Sequence, residues 1–124
     1  MQNKRKILSI TRLVVVQSLY QMDMAGTDID VILKEYKSRV IFDNKDDKMI
    51  KDINLNLYKE ILTGVYEKQE SIDNQIKIFL DKKWSYGRID VTLRAILRAA
   101  VYELLFAPET PFKVVINEYL NIAQ

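Results

Sequence analysis

An all-α fold is what this sequence predicts, on three observations. Only two prolines occur, Pro108 and Pro111, both near the C-terminal end, so most of the chain is free to be helical. Glycine is equally sparse, at Gly26, Gly64 and Gly87. Apolar residues recur at intervals of three and four through long stretches, and no strand-like alternation, internal repeat or low-complexity run interrupts them.

The elements follow in order. From Ile7 to Met24 the apolar residues Ile7, Leu8, Ile10, Leu13, Val14, Val16, Leu19 and Tyr20 are dense enough to bury more than one face. This first helix is therefore expected at the centre, with Gly26 as its C-cap. After "GTDID", residues Ile32, Leu33, Tyr36, Val40 and Ile41 repeat at helical spacing, and "FDNKDDK" reads as a turn. Ile50, Ile53, Leu57, Tyr58, Ile61, Leu62 and Val65 mark the cleanest helix. Gly64 inside it costs about 1 kcal/mol relative to alanine, unless a neighbour needs the close approach, and packing against the first helix is the expected reason. Ile72, Ile76, Phe79 and Leu80 form a shorter helix, broken by "KKWSYGR". Asp90 is placed to N-cap the next one, which runs to about Phe106 and is ended by Pro108. Pro111 sets an extended entry to a last helix from Val114 to Ala123, giving six in all.

With 124 residues, 48% of them hydrophobic, one domain with a real core is the expectation. No window approaches the roughly 18 apolar residues of a membrane span, and the basic start lacks a signal-peptide cleavage site. The chain thus reads as cytoplasmic, with no membrane partner. Histidine and cysteine are both absent, which removes thiol nucleophiles, imidazole bases and the usual zinc ligands. Carboxylate or lysine chemistry stays open but gets no positive support, no glycine-rich phosphate loop can be drawn, and no catalytic residue, metal or cofactor is expected.

The net charge of +2 is unevenly spread. Residues 1–22 carry Lys4, Arg5, Lys6 and Arg12 and no acid, whereas residues 23–81 are net acidic. Three adjacent cations at a helix start are a candidate phosphate-contact patch, although such clusters also occur as solvated surface. Arg5 and Arg12 lie seven apart, nearly on one helical face.

Three stretches carry more. "RIDVTLRAILRAAVYELLFAPETPFKVVINEYLNIA" resembles the signature region of the NusB family of transcription antitermination factors, in which an R-A-I-L-R-x-A-x-Y-E-L helix precedes P-x-K-V-x-I-N-E. Upstream, "VVVQSLYQMD" is similar to the family's first helix and "YKEILTGVYEKQESIDNQI" to its third and fourth. The resemblance implies a single NusB-type helical bundle over residues 1–124. It would comprise two small perpendicular subdomains, about 1–68 and 69–124, around a shared core. It also implies a further helix after the last one, which this sequence does not include.

What the resemblance implies in function is a non-enzymatic RNA-binding adaptor. Together with the ribosomal protein NusE it would recognise boxA-type single-stranded RNA in nascent ribosomal RNA, within an RNA polymerase antitermination complex. Two rivals are an accessory RNA-binding domain of a ribosomal RNA cytosine methyltransferase and a helical adaptor that binds only protein. On the leading reading Lys4, Arg5, Lys6 and Arg12 supply phosphate affinity. Lys113, a cation at the positive end of a helix, joins them as a secondary contact. Tyr20, at the family's L-Y-Q, is either a ring for an unstacked base or a core residue with its hydroxyl at the rim. Trp84, beside Lys82 and Lys83, reads likewise as a stacking ring or a bundle cap. Arg98, Glu103 and Glu118 are assigned to architecture, with Glu118 expected to pair with Arg98 across a helix crossing.

Overall fold

The computed structural model describes residues 4–42, 53–80, 87 and 89–124 of the chain. Within them are six helices: α1 Lys4–Ala25, α2 Ile29–Phe42, α3 Leu55–Glu67, α4 Gln69–Phe79, α5 Val91–Phe106 and α6 Phe112–Ala123. Among the described residues there is no strand. The fold is all-α, as expected. Of the turn expected at 42–48, Phe42 instead closes α2 and residues 43–48 lie outside the described residues, as do Trp84, Lys82 and Lys83.

The density of apolar residues on α1 explains its place. It packs against α2, α3, α5 and α6 at once, and Val14, Val15, Val16 and Leu19 are all buried. They meet Tyr58, Ile61, Leu62 and Val65 of α3, Ala95, Ile96, Ala99 and Tyr102 of α5, and Val115 and Tyr119 of α6 in one core cluster. Gly26 ends α1 as expected: its φ of 67° is a left-handed turn, and its N–H reaches the Met22 carbonyl at 3.0 Å.

Three local expectations need correction. Ile53, counted within the third helix, is buried just ahead of its cap Asn54, and Ile50 lies outside the described residues. Asp90 stands at the N-cap position of α5, but its side chain makes no capping hydrogen bond; its backbone carbonyl accepts from Arg94 N–H at 2.9 Å, and the preceding Ile89 is buried. At Gly64 the close neighbour is α5, not α1. A β-carbon there would lie 2.1 Å from Cε1 of Tyr102, so the glycine exists to admit that ring. The start of α3 is tied to α1 instead. Asn54 caps it by accepting from Leu57 N–H at 3.0 Å, while its own N–H donates to Thr11 Oγ1 at 2.8 Å.

Candidate nucleic-acid interface

The basic residues at the chain start are in the first turn of α1, where the unpaired amides already give a helix its positive end. Lys4, Arg5 and Lys6 are exposed there, and that turn itself contains no acidic residue. Cations in this position are unfavourable by a few tenths of a kcal/mol to about 1 kcal/mol each, and an anion resting on the turn removes the penalty. Lys113 repeats the arrangement in the first turn of α6, also exposed and also without an acid beside it.

Side-chain contacts bring these two turns to the same end of the molecule. Ser9 Oγ donates to Glu118 Oε1, and one turn further on Leu13 and Ile122 line one groove, so α1 and α6 run parallel. Lys4 lies five residues before Ser9, and Lys113 five before Glu118. The groove continues along α1 past Val16 and Gln17 to Tyr20, with Thr92 of α5 opposite.

Tyr20 keeps 39% of its surface, which puts it on the rim and not in the core. It stands about 24 Å along α1 from Lys4, at about 1.5 Å per residue, and so is not gathered with the basic turn. The two are ends of one strip along α1, half-buried at Ser9, Ile10 and Leu13 between them and exposed again at Gln17.

Arg12 does not belong to that strip. Its side chain is buried, with 3% of the residue exposed, and its guanidinium grips Glu103 of α5 in bidentate fashion, Nε to Oε2 at 2.7 Å and Nη2 to Oε1 at 2.9 Å. Glu103 Oε2 also accepts from the Tyr119 hydroxyl of α6 at 2.6 Å, and Arg12 Nη1 lies 4.0 Å from Glu118. Burial alone would lower the Arg12 pKa, but the hydrogen bond and charge of Glu103 outweigh it and raise it. The Tyr119 hydroxyl is held well above its ordinary value by burial and then by Glu103. Arg12 is therefore an architectural residue, and the phosphate role expected for it is withdrawn because no solvent-facing donor remains. One signal in the sequence points this way: Arg12 shares its helical face with Val15, Val16 and Leu19, at spacings of three, four and seven.

The partner expected for Arg98 also changes. Its guanidinium binds Asp73 of α4 in bidentate fashion at 2.9 and 3.0 Å and lies 3.5 Å from Asp23 of α1, which in turn accepts from Arg94 at 2.8 Å. Glu118 is too far along α6 to serve there and instead takes Ser9 and Arg12. Two ionic clusters thus clamp antiparallel α1 and α5, one at Arg12 and Glu103, the other at Asp23, Arg94 and Arg98. Among the described residues no buried side-chain nitrogen or oxygen is left without a partner, which is the condition for such clusters to be tolerated.

Nothing in the sequence alone singles out Asp23, Asp73 or Ser18. Ser18 exchanges a hydrogen bond with the Tyr58 hydroxyl at 2.7 Å. No group of three or more side chains suited to a metal ion occurs among the described residues, and no helix there is long and apolar enough to cross a membrane.

A comparison with protein-family models matches the NusB family over residues 9–124. Three similar proteins are each named transcription antitermination protein NusB. That of Mesorhizobium japonicum is 41% identical over 122 residues, covering 98% of this chain and 77% of the relative. That of Bartonella quintana is 38% identical, covering 98% and 76%. That of Gluconobacter oxydans is 36% identical, covering 96% and 75%.

Proposed function

The chain belongs to the NusB family, and from that premise we propose that it is a non-enzymatic transcription antitermination factor. It binds boxA-type single-stranded RNA of nascent ribosomal RNA jointly with the ribosomal protein NusE, and works within an RNA polymerase antitermination complex in the cytoplasm. The observation that carries the reading is the match to antitermination proteins along nearly the whole chain. The exposed basic end supports it: Lys4, Arg5, Lys6 and Lys113 are the side chains proposed to meet phosphates, since single-stranded RNA is held largely by salt-sensitive contacts of this kind. Tyr20 is proposed to stack on an unstacked base at the far end of the strip.

The test is a fluorescence titration of the protein, with and without NusE, against boxA-like RNA and a scrambled control. Selective binding that strengthens when NusE is added is the expected result. Equal affinity for the two RNAs, unchanged by NusE, would contradict the reading and leave a helical adaptor that binds only protein.

A further inference from the structure

Where α5 ends, it leaves an apolar face that the core does not use. Leu104, Leu105 and Phe106 keep 40%, 51% and 38% of their surface, although Tyr102 one turn earlier is buried. The face is well anchored, because the Tyr102 ring seats on Gly64 of α3 and Phe106 stacks on Tyr102 with ring centroids 5.9 Å apart. A rigid aromatic platform therefore sits at the surface between α3 and the loop that follows α5.

Its surroundings are acidic. Glu60 and Glu67 flank Gly64 on the same face of α3, and Glu109 stands in the loop after α5. All three carboxylates are close enough to the Tyr102 hydroxyl to push its pKa up, after burial, and Glu60 is itself raised by burial and then by Glu109. Among the described residues none of the three enters an ion pair. One cation is already drawn to the aromatic pair: Lys68 Nζ lies 5.1 Å from the centroid of the Phe106 ring.

We propose that this face, Leu105 and Phe106 rimmed by Glu60, Glu67 and Glu109, is a docking site for an arginine- or lysine-rich segment of a protein partner. A guanidinium matches both features, since it stacks on an aromatic ring and forks onto carboxylates. The same rim repels phosphate, which selects a basic protein over RNA as the occupant. Aromatic residues at the centre of a patch with charges at its edge is also how protein interfaces are commonly built. The site uses α3, α5 and their following loop and none of the residues proposed to meet RNA, so either proposal can fail without the other.

The test uses a labelled synthetic peptide of alternating arginine and alanine, a matched peptide with glutamate for arginine, and an unlabelled single-stranded RNA as competitor. The arginine peptide is expected to bind and the glutamate peptide not. Phe106→Ala, and separately Glu60→Gln with Glu109→Gln, are each expected to weaken binding about tenfold. Asp30→Asn, an exposed acid on α2, is expected to leave it unchanged. The double glutamine variant removes charge from exposed positions without removing side-chain volume, so it keeps the test informative if Phe106→Ala folds poorly. Affinity for the peptide that is the same in both variants as in the parent protein would overturn the proposal. Loss of RNA binding in the Phe106→Ala or glutamine variant, with the peptide unaffected, would also overturn it and assign the face to nucleic acid.

Discussion

At the scale of single residues, Arg12 and Glu103 decide the most. Arg12→Met removes one half of a buried pair and strands the Glu103 carboxylate beside only the Tyr119 hydroxyl. The expected loss is about 3–5 kcal/mol in urea unfolding. Arg12→Met with Glu103→Leu removes both charges, and most of that loss is expected to return. A single substitution that costs nothing would mean that the pair is solvated in solution. The sequence identifies Arg98 and Glu103 as architectural, because charges on an apolar helix need partners. It does not say which partners, since Arg12 and Glu103 are 91 positions apart and Arg98 and Asp73 are 25 apart, and periodicity carries no information across such distances. Arg12 misleads for a related reason: its nearest basic neighbours suggest a patch, while its helical face, shared with Val15, Val16 and Leu19, points inward.

At the scale of elements, the three-four rhythm locates the six helices among the described residues, because each buries one stripe or more against the core, although it counts Ile53 into α3, which begins at Leu55. The packing between helices is less legible. Gly64 signals a close approach, yet the ring that fills the space comes from α5, and only the assembled bundle reveals it. Gly64→Ala gains about 1 kcal/mol of helix propensity but drives a methyl group into the Tyr102 ring, an overpacking that costs roughly 1–3 kcal/mol. Net destabilisation is expected by thermal unfolding. Adding Tyr102→Leu, which vacates the space, should make the alanine neutral or favourable; if the alanine costs as much in that background, the ring is not the cause. At the other end of α3, Asn54→Ala is expected to cost about 1 kcal/mol in urea unfolding, because Leu57 N–H then has no capping acceptor.

At the scale of the whole molecule, buried tyrosines make stability fall at high pH. Burial pushes Tyr58 up to about 12, partly opposed by its hydrogen bond with Ser18, and Tyr119 is raised as well. In the unfolded chain both titrate near about 10, so above that pH the unfolded state loses protons that the folded state retains. The stability held below about pH 10 is thus lost as pH rises toward 12, by about 2–3 kcal/mol for Tyr58 alone. Urea unfolding between about pH 9 and 11 should show the decline, and Tyr58→Phe should make it shallower; an unchanged slope in that variant would place the titrating group elsewhere. The polarity of the molecule bears on function in the same way. The parallel α1 and α6 present Lys4, Arg5, Lys6 and Lys113 at one end, away from the ionic clamp of Asp23, Arg94 and Arg98 further along α1. The decisive measurement is the salt dependence of boxA-like RNA affinity for the parent protein and for Lys4→Ala, Arg5→Ala, Lys6→Ala combined. If the basic end holds phosphates, affinity falls and the log-log slope drops by roughly 0.7 for each phosphate no longer neutralised. An unchanged slope and affinity would show that RNA is held on another surface.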